Sequence, residues 1–315
     1  MLLSKRQEAE LVTAIQGRGE IPLKFAYLGE GAKHWFAISQ GREEGEGINS
    51  IQTKLLKKRI NDFLSTINPK KGINIVDLGC GDGTQVLSVL EGLNAKKIKF
   101  NYVPLDISQE MLDLAVSVVS KEYPGINCKP ILIDFELGQF SDVMYDLKQN
   151  GFDNLMLYLG TTLGNHSDTH RVLSNFRDSM TSKEYLIIGV ELTNLAKVSR
   201  LFPQYKGKAV DDFLTFIPKE FKIPRDAFEL ETSWNSKDSQ IEIVAQFKKD
   251  VNVGIAQEKF IIYKNENILL ARSIKFTEYS ITRLLSDVGF RTELLTTAED
   301  RGYLLSMIQP TRYSV

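Results

Sequence analysis

Between residues 73 and 192 the chain repeats one pattern: a short, almost wholly apolar run followed by a stretch with helical spacing. The apolar runs read "INIVDLG", "FNYVPLDIS", "CKPILIDF", "FDNLMLYLG" and "EYLIIGVEL". Between them lie "TQVLSVLEGL", "QEMLDLAVSVVSKE", "SDVMYDLKQN" and "DTHRVLSNFRDSM". A strand that is apolar on both faces needs cover on both sides, and a helix after each strand supplies it while returning the chain for a parallel neighbour. The expected fold class is therefore α/β, a parallel sheet covered by helices. Ahead of it, "IQTKLLKKRINDFLSTIN" places Ile51, Leu55, Ile60, Phe63 and Leu64 near one face of a helix, with basic residues opposite.

The repeat stops near residue 192. Pro203, Pro218 and Pro224 follow, and then "FELETSWN", "QIEIVAQFKK", "EKFIIYKN" and "ILLARSIKF". These runs alternate apolar and polar residues, as strands of an antiparallel layer with one exposed face do. A helix, "EYSITRLLSDVG", and a strand pair, "RTELLTTAED" and "YLLSMIQP", end the chain. The α/β layer is thus expected to span 51–194, to be interrupted by a β-rich insertion at 195–270, and to resume at 271–315.

With 43% apolar residues in 315, the chain can bury a sizeable core. Its 39 basic and 40 acidic residues leave a formal charge of −1. That balance gives no general pull toward nucleic acid or an anionic membrane, and a small neutral or zwitterionic partner is expected. "MLLSKRQEAELVTAIQ" interleaves charges with apolar residues, unlike a secretory leader, and no run is long enough to span a bilayer. Two cysteines, Cys80 and Cys128, are too few for a disulfide framework and point to a reducing cytoplasm.

Chemistry concentrates at the strand ends. Asp77 closes the first strand, and Gly79, Gly81 and Gly83 form the turn into the next helix, where missing side chains let backbone approach a ligand. Thr84 stands where a third glycine would complete G-x-G-x-x-G, so a nicotinamide-type fingerprint is not met. Asp106 ends the second strand, where a carboxylate can accept both hydroxyls of a ribose. Asp134 and Phe135 end the third, an acid and an aromatic suited to an adenine edge and face. Acid plus glycines, acid, and acid plus aromatic, in that order, resemble the S-adenosylmethionine site of class I methyltransferases. No metal is expected: His166 and His170 lack the glutamate of H-E-x-x-H and a third ligand. Cys80 reads as a small residue filling the turn rather than a nucleophile.

The fourth strand end narrows the resemblance. "LMLYLGTTLGN" at 155–165 is similar to the "FLGSTIGN" element of the histidine Nα-methyltransferases of ergothioneine biosynthesis, and "YVPLDIS" is similar to that family's second motif. "IPLKFAYLGEGAKHWF" at 21–36 resembles its P-x-K-Y-F-Y-D-x-x-G-S-x-L-F, and "NENILLARSIKF" at 265–276 its G-E-x-I-x-T-E-x-S-x-K-Y. The resemblance implies a Rossmann-like methyltransferase domain and a second, substrate domain built from residues 1–50 and the inserted strands. It implies S-adenosylmethionine as cofactor, held by Asp77, Gly79, Gly81, Gly83, Asp106, Ser108, Asp134, Phe135 and Gly160. Asn165 and Thr162 fall on positions that hold the α-amino group, Tyr27 on a tyrosine that contacts the carboxylate, and Ser273 on a serine at the pocket end. A second family tyrosine aligns by ungapped counting with Pro203, and Tyr205, two positions on, is carried as its counterpart.

Departures from the family pattern concern the acceptor. The glutamate that recognises imidazole is Ala271 here, the methionine beside it is Ile243, and a phenylalanine is Trp35. In the cofactor motif Asp77 replaces a glutamate and Gln85 a lysine. Loss of a buried carboxylate removes the charge-assisted contact that selects an imidazole N–H. The expected activity is N-methylation of a small amino acid-like amine with an apolar or aromatic side chain rather than histidine. The competing readings are an O- or C-methyltransferase and a cofactor-binding protein without catalysis.

Overall fold

The computed structural model describes residues 3–43, 48–193, 195–299 and 302–311. The chain divides into two compact units, one of Met1–Gln40, Asn165–Ser167 and Asn194–Lys275, the other of Gly41–Gly164, Asp168–Thr193 and Phe276–Val315. In chain order the strands are β1 (Ile73–Leu78), β2 (Phe100–Asp106), β3 (Ile131–Leu132), β4 (Asp153–Tyr158), β5 (Tyr185–Glu191), β6 (Phe228–Asn235), β7 (Gln240–Phe247), β8 (Val251–Ile255), β9 (Glu258–Ile262), β10 (Asn267–Ile274), β11 (Phe290–Thr297) and β12 (Tyr303–Pro310).

The second unit is the α/β layer. Its seven-stranded sheet has the order β11-β12-β5-β4-β1-β2-β3. Strands β1 to β5 are mutually parallel, and β12 runs antiparallel to both β5 and β11. Every residue of β1 and β12 is buried, the polar Asn74, Asp77, Ser306 and Gln309 along with the apolar ones. Leu55, Leu56, Ile60, Phe63 and Leu64 of the helix Ile48–Ile67 join Val89, Leu90 and Leu93 of the helix Leu87–Ala95 in the core over this sheet.

The run "CKPILIDF" yields a strand of only two residues, Ile131–Leu132. Pro130 has no N–H to give to a ladder, and Cys128 meets β2 through a single bridge to Tyr102. As the edge strand, β3 leaves Leu132 58% exposed.

Polar side chains also enter this core, and they are satisfied there. Asn74 Nδ2 donates to Asn154 Oδ1 (2.9 Å) and to the Leu147 carbonyl (3.1 Å), while its Oδ1 accepts from Asn101 and Asn150, each at 2.9 Å. Asn154 in turn donates to Glu184 Oε1 (2.8 Å), which Lys148 pairs at 2.9 Å. The chain ties its β1, β2 and β4 strands together through this network as well as through the ladder.

In the other unit, β10, β7 and β6 form a three-stranded antiparallel sheet, and β8 and β9 a separate two-stranded ribbon. β8 lay outside the strands expected from sequence because Asn252 and Gly254 dilute its signal. The ladder to β9 nonetheless turns Val251, Val253 and Ile255 inward. The stretch marked by prolines is helical, with a 3-10 helix Leu195–Tyr205 and short helices Lys208–Leu214 and Phe216–Glu220. The N-terminal segment belongs to this unit: Glu20 bridges Leu269 on β10, and its carboxylate pairs with Arg18 and Arg272. No described helix is long and apolar enough to cross a membrane.

Asn74→Leu should lower the unfolding free energy by about 2–4 kcal/mol, because it strands polar partners in a buried site. Asn101→Ala, at a half-buried position, should cost under about 1 kcal/mol. Urea denaturation followed by circular dichroism reads both; equal losses would show that the network acts only as packing.

Candidate active site

The sheet order reverses between β1 and β4, and the carboxyl ends of the strands flanking that switch carry the candidate residues. Asp77 is buried near the end of β1, and Asp106 is buried at the end of β2. Gly83 is required by space as well as by its φ of +74°: a Cβ there would lie 2.8 Å from the backbone Cα of Ala115 on the helix Gln109–Glu122. Around Gly79 the strand tips converge. A Cβ on Gly79 would lie 3.7 Å from Phe135 Cζ and 3.8 Å from Thr162 Cγ2. Asp77, Gly79, Phe135 and Thr162 thus come from three strand ends to one place.

The second acid is tied to the glycine turn. Asp106 accepts hydrogen bonds from the backbone amides of Ser108, Gly81 and Ile107. Ser108 is fully buried, gives its amide to Asp106 Oδ1 at 3.0 Å, and caps the following helix by accepting from the Met111 amide. Asp134 Oδ1 accepts from the Glu136 amide at 3.1 Å, and Asn175 Nδ2 donates to the Phe135 carbonyl at 2.8 Å. The Phe135 ring stands edge-on to Phe176 (5.4 Å between centroids) and Tyr158 (6.0 Å).

The β4 end is held from behind by Gln52 and Tyr303, which carry no motif. Gln52, fully buried on the helix Ile48–Ile67, accepts from the Gly160 amide at 2.6 Å and donates to Gln85 Oε1 at 2.9 Å. The Tyr303 hydroxyl of β12 is shared between Gln52 Oε1 and the Gly160 carbonyl. One glutamine therefore joins the glycine turn, through Gln85, to the Gly160 turn. Gln52, Gln85 and Tyr303 lie far apart in sequence, and nothing local marks them as a group.

Burial dominates the electrostatics of these strand ends. Burial raises the Asp77 pKa from 3.8 to about 7, with Asp106 and Asp82 adding to the rise and a hydrogen bond from Tyr102 opposing it. Burial likewise raises Asp106 to about 6 against the hydrogen bonds of the turn. Cys80 is pushed well above its ordinary value by burial and then by Asp106 and Asp77, so its thiol stays protonated. The groups that set Asp77 include no lysine or arginine. S-adenosylmethionine, with a sulfonium and an ammonium, fits such a cradle; the pyrophosphate of a dinucleotide would be repelled.

Of the residues expected at the acceptor, Thr162 lies in the α/β unit and the others in the β-rich unit. Tyr27 ends the 3-10 turn Leu23–Tyr27, with its ring edge-on to Phe213 (5.2 Å) and to Trp35 (6.1 Å). On β10, Ala271 stands opposite Ile243 of β7, and Ser273, which is buried, opposite Ile241. A bulge between Leu269 and Ala271 sets this register. Tyr205 and Ile243 line one cavity of about 610 Å³, together with Val210, Leu230, Glu229 and Glu231. Tyr27, Trp35, Ala271 and Ser273 are not part of that lining. The sequence reading did not single out Glu229 and Glu231. Asn165 is half-buried and closes the 3-10 turn Thr162–Asn165 directly after β4.

The parallel order, the antiparallel β12 inserted beside β5, and the acid and glycine strand ends define a class I methyltransferase that uses S-adenosylmethionine. More narrowly, the chain belongs to the family of histidine-specific, S-adenosylmethionine-dependent methyltransferases, whose model it matches over residues 7–310. It is similar to a histidine N-alpha-methyltransferase of Mycolicibacterium smegmatis, 25% identical over 69% of this chain and 69% of that protein. An N-methyltransferase of Aspergillus flavus, imqF, is 23% identical over 80% of this chain and 71% of its own length. A 4-dimethylallyltryptophan N-methyltransferase of Arthroderma benhamiae is 23% identical over 92% of this chain and 88% of its own.

Asp77 and Asp106 hold protons more tightly folded than their ordinary value of 3.8 implies for the unfolded chain. Their contribution to stability therefore falls as the pH rises from about 4 through about 7. In ligand-free protein, Asp77→Asn should raise the Tm at about pH 8 and flatten its decline between about pH 6 and 8. Thermal scans of the two proteins across that range check it; a Tm at pH 8 no higher than that of the natural protein would contradict it.

Proposed function

We propose that this methyltransferase acts on the α-amino group of an amino acid-like substrate with an apolar or aromatic side chain, and that histidine is not that substrate. The observation that carries the reading is Ala271: the β10 position where the family's imidazole-binding glutamate falls is a methyl group facing Ile243 across the ladder. Without a carboxylate at that position, an imidazole N–H lacks there the charge-assisted acceptor that the family's glutamate supplies. Ile243, across the ladder from Ala271, also lines the cavity of about 610 Å³ that Tyr205 borders, which supports room beside this position. Two of the similar proteins are named as N-methyltransferases with no reference to histidine, one for a prenylated tryptophan.

The α/β unit carries every residue assigned to the methyl donor. Asp77 and the Gly79–Gly83 turn are assigned to its amino acid end, Asp106 and Ser108 to the ribose, Asp134 and Phe135 to the adenine, and Gly160 to the rim at β4. When bound, S-adenosylmethionine supplies a methyl group already activated by its sulfonium, so no covalent enzyme intermediate is needed. The protein's task is positioning, which can contribute roughly 7–11 kcal/mol. Thr162 and the Asn165 amide orient the acceptor nitrogen, Tyr27 and Tyr205 engage its carboxylate, and Trp35, Ile243, Ala271 and Ser273 shape the side-chain pocket. The amine reacts as the neutral form, with its proton leaving to water or a nearby group.

A panel of histidine, phenylalanine, tyrosine, tryptophan and prenylated tryptophan, scored by mass spectrometry for added methyl groups, tests this. An aromatic acceptor should exceed histidine by about 100-fold or more in kcat/KM; efficient methylation of histidine would sink the reading of Ala271. Asn165→Ala should lose about 100-fold in kcat/KM while cofactor affinity stays within about twofold. An unchanged kcat/KM would remove Asn165 from the mechanism.

A further inference from the structure

Tyr102 lies on β2, four residues before Asp106, with its side chain fully buried in the core of the α/β unit. A phenylalanine would fill the same space without a polar atom to satisfy, so the hydroxyl needs a reason to be there. Its partner is Asp77: the Tyr102 hydroxyl donates to Asp77 Oδ2 at 2.9 Å, linking the middle of β2 to the end of β1. Among the described residues, the other ionisable groups acting on this carboxylate oppose its charge. They are Asp82 on the glycine turn and Asp106 at the end of β2. On the far side Tyr102 faces Cys128, a neutral thiol.

We infer that Tyr102 is a positioning residue for the methyl donor, holding the Asp77 carboxylate oriented and ionised so that it can receive the cationic amino acid end of S-adenosylmethionine. The hydroxyl is the one side-chain donor that lowers the Asp77 pKa, against burial and two carboxylates that together bring it to about 7. Without that donor the balance tips toward the neutral acid at physiological pH. A protonated Asp77 has no charge to offer an ammonium. The ring also fixes the rotamer, since both groups are enclosed and neither can turn toward solvent. The inference rests on the assignment of Asp77 to the cofactor.

The test is calorimetric titration of S-adenosylhomocysteine, which keeps the ammonium, into the natural protein, Tyr102→Phe and Asp77→Asn between about pH 6 and 9. The ratio of natural to variant affinity cancels the ligand's own titration. Tyr102→Phe should bind about five- to tenfold more weakly near pH 7 and approach the natural affinity near pH 9, its midpoint having moved upward. 5′-Methylthioadenosine, which lacks the amino acid end, should bind both proteins alike. A loss that is the same at every pH, or equal for the two ligands, would mean that the hydroxyl only supports packing and would overturn the inference. Natural affinity in Asp77→Asn would instead refute the assignment of Asp77, a separate outcome. Should Tyr102→Phe fail to fold, protein labelled throughout with 3-fluorotyrosine, a stronger donor, should move the midpoint downward; an unmoved midpoint overturns the inference as well.

Discussion

Burying carboxylates at the ends of parallel strands is the constraint on which the cofactor side of this protein depends. A parallel sheet covered on both faces leaves only its strand ends open to a ligand, and at the switch between β1 and β4 those ends carry Asp77 and the glycine turn, with Asp106 beside them on β2. Out of water and near each other, the two acids resist ionisation, and that resistance is a cost to the ligand-free fold. On the proposed assignment a cationic cofactor would relieve it, and the affinity of the site and the cost of burying its acids would have one origin.

What keeps such a site from relaxing is the network behind it. Asp106 is fastened to the turn by backbone amides, Tyr102 fastens Asp77, and Gln52 with Tyr303 clasps Gly160. These groups come from β2, β12 and the helix Ile48–Ile67, so the last strand of the chain, close to its C-terminal end, helps to shape a turn in its middle. At the other pole the asparagine network around Asn74 ties the same strands together. Polar groups fully paired inside a core specify one register where apolar packing alone would tolerate several.

In the β-rich unit the arrangement is looser in kind. Its three-stranded sheet carries Ile243, Ala271 and Ser273 at register positions set by a bulge, and Tyr27 sits in an aromatic cluster with Trp35 and Phe213. Changing which molecule fits such a surface takes only side-chain replacements on a fixed ladder. Two similar proteins are named for different acceptors, histidine and 4-dimethylallyltryptophan.

The order of strands and helices, the acids and glycines at the strand ends, and the antiparallel character of the insertion were legible in the sequence, because each is a short-range signal: periodicity, turn chemistry or a motif a few residues long. The short β3 and the unrecognised β8 show where such signals thin out, at Pro130 and at Asn252 and Gly254. Only the tertiary structure decided the rest. The partnership of Tyr102 with Asp77, the clasp of Gln52 and Tyr303 on Gly160, and the meeting of Tyr205 with Ile243 on one cavity each join residues far apart in the chain. A sequence read along its length carries no record of such contacts, and the pKa of Asp77 depends on burial that exists only once the sheet has closed around it.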